Sequence, residues 1–392
     1  MRALNFINEI SRLVPGSPSA EIDWDKIDKL FAATCFSEMK LTPQNPAYHG
    51  EGDVYTHTQM VCRVLAGDPG FHRLNERQKT ELFLAALLHD IGKVRTTKQE
   101  DGNWVSPHHS DTGSRIVREF LWRDCEMCGR QEQVSFRETV CALVRCHMLP
   151  VHLLEYDEAE RWAREIAAIG ELAADFTWEL LCMLTKADMR GRIADDIEEG
   201  LSQLELAEVI AEDAGCLSGP CFFGSSYTKR AYLSGRNVQP QQELFDDTWG
   251  EVILLCGLPG TGKDTWCRAN YPCYPVVSLD DIRRKLQVRP TENQGRVIQA
   301  AQESAREYLR KKEPFIWNAT NLTKDTRRKM VSLFERYGAR VRIVYLETDW
   351  NTRVERNLGR KDAVPEAVAE RMLRNMVLPT AEEAQVVEWV FV

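Results

Sequence analysis

Residues 257–266 read GLPGTGKDTW: a glycine, four residues, a glycine and a lysine. The apolar run EVILLC precedes this stretch, and a helical pattern, KDTWCRAN, begins inside it. In such a strand–loop–helix setting Gly257, Gly260 and Gly262 let the backbone turn tightly and aim N–H groups at phosphate oxygens. Lys263 then reaches the β and γ phosphates of a nucleotide such as ATP. The next residue is Asp264, where this type of loop usually carries serine or threonine. A carboxylate in the first turn of a helix is favoured by the helix dipole, but it repels phosphates bound at the same end. A Mg²⁺ ion between carboxylate and phosphate removes the conflict. Asp264 is therefore expected at a Mg²⁺ site, directly or through water, with Thr265 as the alternative ligand.

Phosphoryl transfer also needs a group for the acceptor. VVSLDDIRR follows the next apolar run, and an aspartate at the C-terminal end of a strand sits at the ligand crevice of an open α/β sheet. Of Asp280 and Asp281, one could accept a proton from an attacking hydroxyl while the other caps the helix that follows. Arg283 could hold a phosphate of the acceptor. Further on, Arg353, Arg356 and Arg360 recur at helical spacing. They could close over the donor phosphates, or could form a solvated helix face.

The other chemistry lies upstream. All eight histidines fall between His49 and His152. His57, the pair His89–Asp90 in LLHDIGK, His109, His147 and Asp188 together offer imidazole and carboxylate, which suits a divalent transition metal. His108 competes with His109, and spacing to Gly113 favours His109. His49, His72 and His152 are expected elsewhere, on the surface or in the core.

The elements that must position these groups differ between the two halves. The N-terminal half reads as helical, with helical spacing in ERQKTELFLAALLHDIGKV and around Trp162–Ile169. Beyond a polar stretch, SGRNVQPQQELFDDTWG, the pattern changes to short apolar runs alternating with helices: EVILLC, YPVVSL, PFIWNA, VRIVYLE and VVEWVFV. That alternation predicts a parallel sheet covered by helices. The chain of 392 residues is long enough for two cores. Expected boundaries are 1–233, a linker at 234–250, and 251–392.

The net charge of −9 divides unevenly, about −14 before Glu251 and about +5 from there on. The basic half could meet a polyanion. No apolar run approaches the roughly 20 residues of a membrane span. The N-terminus carries no basic cluster followed by an apolar block, so neither a membrane nor a signal peptide is expected. The twelve cysteines are scattered, and Cys125–Cys128 lacks a second pair to complete a zinc site. Reduced thiols and a cytoplasmic location are expected.

GLPGTGKDTW, SLDDIRR, WNATNLTKDTRR and RNLGRKDAVPEAVAERM together resemble the polynucleotide 5′-kinase family, over roughly Glu251 to Val377. The resemblance implies Asp280 as general base for a 5′-hydroxyl and Arg283 on the neighbouring phosphate. It also implies Arg356 and Arg360 as lid arginines on ATP. Asp264 departs from the serine common in that family. The ordered H…HD…D set resembles the HD phosphohydrolase superfamily, an all-α fold, over roughly His57 to Arg192. That resemblance implies His57, His89, Asp90 and Asp188 on a first metal and His109 and His147 on a second. Lys93, one turn beyond His89, is then placed to bind the scissile phosphate. The two in this order resemble the bacterial bifunctional end-healing enzymes of the HD-Pnk type. The implied activities are removal of 2′,3′-cyclic, 2′- or 3′-phosphates from RNA or DNA ends and ATP-dependent phosphorylation of 5′-OH ends. A separate polynucleotide ligase is the implied partner. The alternative is a small-molecule P-loop kinase fused to an HD nucleotidase.

Overall fold

A computed structural model describes residues 3–289, 292–360 and 362–392. The chain forms two compact units: residues 1–127 with 131–221, and residues 128–130 with 222–392. The continuous part of the second unit thus begins at Phe222, upstream of the boundary and linker expected from composition. The reason is packing within that unit. In the helix Ser226–Leu233, Arg230 forms an ion pair with Glu335 at 2.8 Å and donates to the Glu382 carbonyl. In the stretch expected as linker, Asp246 binds Arg340 at 2.7 Å and Trp249 Nε1 donates to the Tyr337 carbonyl.

The first unit is built of helices around one apolar core. That core includes Val61, Leu65, Leu84, Leu87, Val140, Leu143, Leu181 and Leu184. Four of its helices bear directly on the site. Val54–Gly67 starts at Asp53, whose carboxylate accepts from the Thr56 N–H. Glu76–Leu88 starts with a reciprocal capping box between Asn75 and Gln78 and runs directly into His89 and Asp90. Gln131–Cys146 ends just before His147. Trp178–Arg190, capped by Thr177, carries Asp188 in its last turn. One departure from an all-helical unit is a hairpin, β1 (Lys98–Glu100) with β2 (Asn103–Val105). Asp101 and Gly102 turn it with positive φ, the conformation an Asp-Gly pair favours in two-residue hairpins.

The second unit holds a five-stranded parallel sheet in the order β4-β5-β3-β6-β7. The strands are β3 (Glu251–Cys256), β4 (Val276–Ser278), β5 (Phe315–Asn318), β6 (Arg340–Glu347) and β7 (Val386–Phe391). Each corresponds to one of the five apolar runs. Helices join successive strands, as parallel pairing demands. The central strand β3 is buried from Val252 to Cys256, so its C-terminal end delivers the glycine loop to the middle of the sheet's C-terminal edge. Among the described residues no disulfide forms, and no helix is long and apolar enough to cross a membrane.

Candidate functional sites

In the first unit the tight turn after His89 is what gathers the histidines. A Cβ placed on Gly92 would lie 1.9 Å from the His109 carbonyl oxygen. Only glycine therefore lets the HDIGK turn touch the start of the His109–Glu119 helix. That crossing brings His109 Nε2 to 3.4 Å from Asp90 Oδ1. His147 Nε2 lies 3.9 Å from the same oxygen. On the other side of Asp90, Oδ2 is 3.4 Å from His89 Nε2 and 3.7 Å from His57 Nε2. Asp188 Oδ1 is 3.0 Å from His57 Nε2 and 3.9 Å from His89 Nε2. Four of the other five residues expected as ligands thus converge on Asp90, and Asp188 joins them through His57 and His89. His108 is exposed and has a left-handed backbone conformation. His72 bonds the Ala66 carbonyl and His152 bonds Glu155, both away from the cluster.

The ring nitrogens explain the convergence. Nδ1 of His57, His89, His109 and His147 faces a main-chain carbonyl: Gly191, Ala86, Ser106 and Val144 respectively. A carbonyl only accepts, so each Nδ1 carries the hydrogen and each Nε2 turns a lone pair inward. Lone pairs and carboxylates then face each other; His57 and His89 bring their Nε2 atoms to 3.3 Å. Buried Asp90 Oδ1 accepts no hydrogen bond. A buried acceptor without a partner costs about 1–3 kcal/mol, more when charged. A divalent cation is the natural partner for this donor set. The ligand atoms of His57, His89 and Asp90, and separately those of Asp90, His109 and His147, lie within 4.8 Å of one another. Two ions sharing Asp90 fit this arrangement.

Electrostatics follow from the same geometry. Burial, and then the neighbouring His89 charge, push the His147 imidazole down to about 4. Burial lowers His57 too, but its bonds to Asp188 and Glu51 outweigh this and raise it to about 9, so without a cation its Nε2 also holds a proton toward Asp188, which a bound cation would replace. Burial raises Asp90, yet Lys93 and His89 outweigh it and hold the carboxyl well below the usual range.

Lys93 departs from a simple phosphate-binding role. Its buried ammonium lies 2.7 Å from Asp90 Oδ2, 2.7 Å from Gln44 Oε1 and 3.4 Å from His49 Nε2. Three acceptors match its three hydrogens, so it engages a phosphate only by giving one of them up. Gln44 and Glu51 surround the cluster without having been singled out from sequence, and His49, expected elsewhere, stands beside it because its ring is held between Glu51 and Lys93. For His49 and Glu51 the trace in sequence is the short stretch YHGEGDVYTH, which also holds His57; Gln44 lies outside it.

In the second unit the glycine loop follows β3. Gly260 has φ +90, and a Cβ there would lie 2.4 Å from the Arg353 carbonyl oxygen, so both conformation and space require glycine. The helix Lys263–Asn270 starts directly after Gly262. Lys263 Nζ donates to the carbonyls of Gly257 and Leu258, both at 2.8 Å. Burial lowers its pKa to about 8. Bound phosphates would restore the charge. Nucleotide affinity is therefore expected to fall about tenfold per pH unit above 8, because binding then requires proton uptake. Titration calorimetry at fixed Mg²⁺ checks this; a flat affinity between pH 7 and 9.5 contradicts it.

Asp264 accepts a hydrogen bond from Asn318 Nδ2 at 2.6 Å. Asn318, at the end of β5, was not singled out from sequence. Its amide fixes one carboxylate oxygen and leaves the other for a cation or its water, a suitable arrangement for an oxygen-seeking Mg²⁺. Asp264→Ala is expected to raise the Mg²⁺ concentration needed for half-maximal activity by about tenfold, whereas Asp264→Ser keeps activity. An alanine variant with unchanged Mg²⁺ dependence returns Asp264 to a helix-dipole role. Thr265 is exposed on the same turn.

Asp280 is gripped by two arginines: Arg283, one turn later, on Oδ1, and Arg360 on Oδ2 at 2.9 Å. Burial raises the Asp280 carboxyl, but these arginines outweigh it and hold it below the usual carboxylate range. Ser278 caps this helix through the Asp281 N–H, so neither aspartate is needed as the cap. Arg283 also donates to Gln294 at 2.9 Å. Arg356 Nη1 lies 3.4 Å from where a Cβ on Gly262 would be, directly beside the loop. Arg353 parts company with its neighbours. It is buried, stacks on Trp350 at 4.0 Å, pairs with Glu366 at 2.5 Å and donates to the Pro259 carbonyl at 3.5 Å, so it braces its helix and the glycine loop from within rather than presenting a free guanidinium.

Residues 54–175 match the family model of the HD domain, and residues 252–379 match AAA_33, an AAA domain. The chain carries an HD domain followed by a P-loop, kinase-like AAA_33 domain. The HD match contains His57, His89, Asp90, Lys93, His109 and His147, while Asp188 joins the cluster from beyond it. The AAA_33 match contains the loop, Asp280, Arg283, Arg356 and Arg360. Heterogeneous nuclear ribonucleoprotein U-like protein 2 of Mus musculus and of Homo sapiens is each 28% identical over 147 residues. That alignment covers 33% of this chain, and the chain spans 20% of the length of those proteins.

Proposed function

We propose that the protein heals polynucleotide ends. In this reading the HD domain removes 2′,3′-cyclic, 2′- or 3′-phosphates, and the AAA_33 domain phosphorylates 5′-OH ends from ATP. The observation that carries the kinase half is the Asp280–Arg283–Arg360 cluster in the same domain as the phosphate loop. A carboxylate held by two arginines at a strand's C-terminal end is what a hydroxyl acceptor flanked by phosphates calls for.

The arginines also resolve a difficulty with Asp280. A carboxylate bonded by two guanidinium groups is ionised but is a poor proton acceptor. The acceptor's own phosphate competes for Arg283, and the donor phosphates compete for Arg360. As each is drawn away, Asp280 loses the groups that hold its pKa down, and its proton affinity rises when the hydroxyl arrives. The acceptor oxygen then bonds to the γ-phosphorus, its proton passes to Asp280, and ADP departs. Lys263, Arg356 and Arg360 offset the charge spread over the phosphoryl oxygens.

In the HD domain His57, His89, Asp90 and Asp188 would hold one divalent metal, and Asp90, His109 and His147 would serve a second; bound there, metal would supply polarisation of the phosphate and an activated water. The protein's part is to fix the imidazoles through their Nδ1 bonds and to keep Asp90 ionised. A polynucleotide ligase acting on the healed ends is the partner this reading implies.

Labelled ATP offered with a 5′-OH oligonucleotide and, separately, with a panel of small hydroxyl compounds tests the kinase half. Label on the oligonucleotide is expected. Label confined to a small compound overturns the reading in favour of a metabolite kinase fused to an HD nucleotidase.

A further inference from the structure

The loop before the His57 helix contains a carboxylate whose two oxygens are both committed. The Glu51 side chain is only 1% exposed. Its Oε1 lies 2.9 Å from Nδ1 of His57 and 2.9 Å from Nδ1 of His49. Its Oε2 accepts from the Ile193 main-chain N–H at 2.9 Å. The Gly50 N–H donates to the Ile193 carbonyl, also at 2.9 Å, so the loop is tied to the chain just beyond Asp188.

We infer that Glu51 is a positioning residue that orders the HD metal site through two histidine arms. This inference rests on the metal-centre reading above.

The first arm is His57. Its Nδ1 faces two acceptor oxygens, Glu51 Oε1 and the Gly191 carbonyl, so its hydrogen is on Nδ1 and its Nε2 lone pair faces Asp90, Asp188 and His89. A carboxylate behind a ligating imidazole fixes ring and tautomer and makes the imidazole a stronger donor to metal. The second arm is longer. His49 donates through Nδ1 to Glu51, which leaves its Nε2 to accept from Lys93 at 3.4 Å. Lys93 in turn holds Asp90 Oδ2 at 2.7 Å. Asp90 is common to the group with His57 and His89 and the group with His109 and His147. One buried carboxylate therefore sets a ligand on each arm: His57 directly, and Asp90 through His49 and Lys93. The rings of His49 and His57 meet edge to face with centroids 4.8 Å apart, as two groups converging on one anion would.

Asparagine-type chemistry at this position cannot reproduce the pattern. Three donors, two ring N–H groups and one main-chain N–H, point at Glu51. A glutamine offers one acceptor oxygen and turns its own N–H₂ toward at least one of them. Donor then faces donor in a buried space.

The test is metal binding by the full chain, measured by competition with a chromogenic chelator and by the visible spectrum of the Co²⁺-loaded protein. Glu51→Gln is expected to bind Co²⁺ and Zn²⁺ about 10–100-fold more weakly than wild type. Its Co²⁺ bands are expected to shift, and excess metal should partly restore phosphatase activity. Kinase activity in the same chain should stay unchanged. His49→Gln interrupts only the second arm and is expected to weaken binding less, in the same direction; it carries the test if Glu51→Gln unfolds, as judged by circular dichroism. Wild-type affinity and an unshifted spectrum in either folded variant overturn the positioning role while leaving the metal centre intact. Failure of the wild-type protein to bind either metal overturns both.

Discussion

Replacing Asp280 by asparagine is expected to lower 5′-phosphorylation by about 100- to 10,000-fold, the usual range for loss of a general base, while ATP still binds. The substitution keeps the size of the side chain and removes its charge. Asp280 touches Arg283 and Arg360 but none of the loop groups that hold the donor phosphates. Arg360, freed from a carboxylate, stays available to those phosphates. Nucleotide affinity is thus expected to hold, and any change to be toward tighter binding. Single-turnover kinetics with labelled ATP and equilibrium nucleotide binding separate the two quantities. A parallel loss of ATP binding assigns Asp280 to the nucleotide site. Unchanged transfer with intact binding removes it from the chemistry.

Asp90→Asn is expected to abolish the phosphatase activity of the HD domain and to cost more than the roughly 100-fold in metal affinity typical of outer-sphere changes. Among the described residues Asp90 is the carboxylate that lies within 4 Å of all four converging histidines. It also neutralises the buried Lys93 ammonium at 2.7 Å. Truncation to alanine would leave that cation unpaired, at a cost of about 3–5 kcal/mol. Asparagine retains an acceptor for Lys93 and separates loss of metal from loss of fold. Metal content after dialysis and the melting temperature are the measurements. The kinase activity of the same chain serves as an internal control and should be unaffected. A variant retaining a full complement of metal contradicts the shared role of Asp90.

What could be read from the residues alone was whatever is local. The strand–loop–helix signature around Lys263, the five apolar runs of the sheet and the order of His57, His89, Asp90 and Asp188 all rest on short-range patterns. They match the strands and the cluster that the fold assembles. Less legible were residues whose task depends on tertiary closure. Glu51 and Gln44 lie in a loop with no periodicity, and their meaning appears only when Lys93 and Ile193 fold against them. Asn318 is an ordinary strand-end residue until β5 pairs beside β3 and brings it to Asp264. Helical spacing grouped Arg353 with Arg356 and Arg360. Spacing, however, says which residues share a face and not which of them is buried against Trp350 and Glu366. Composition marked 234–250 as linker because it is polar. Its hydrogen bonds to Arg340 and Tyr337 use that same polarity to hold it against the second unit.

The most direct measurement offers the full-length protein one RNA bearing a 5′-OH and a 2′,3′-cyclic phosphate, together with ATP, Mg²⁺ and a transition metal, and resolves both ends by mass. The expected product has gained a 5′-phosphate and lost the phosphate at its other end, with Asp280→Asn blocking only the first change and Asp90→Asn only the second. RNA recovered with both ends unaltered, from protein that turns over ATP on a small hydroxyl compound, contradicts end healing as the function.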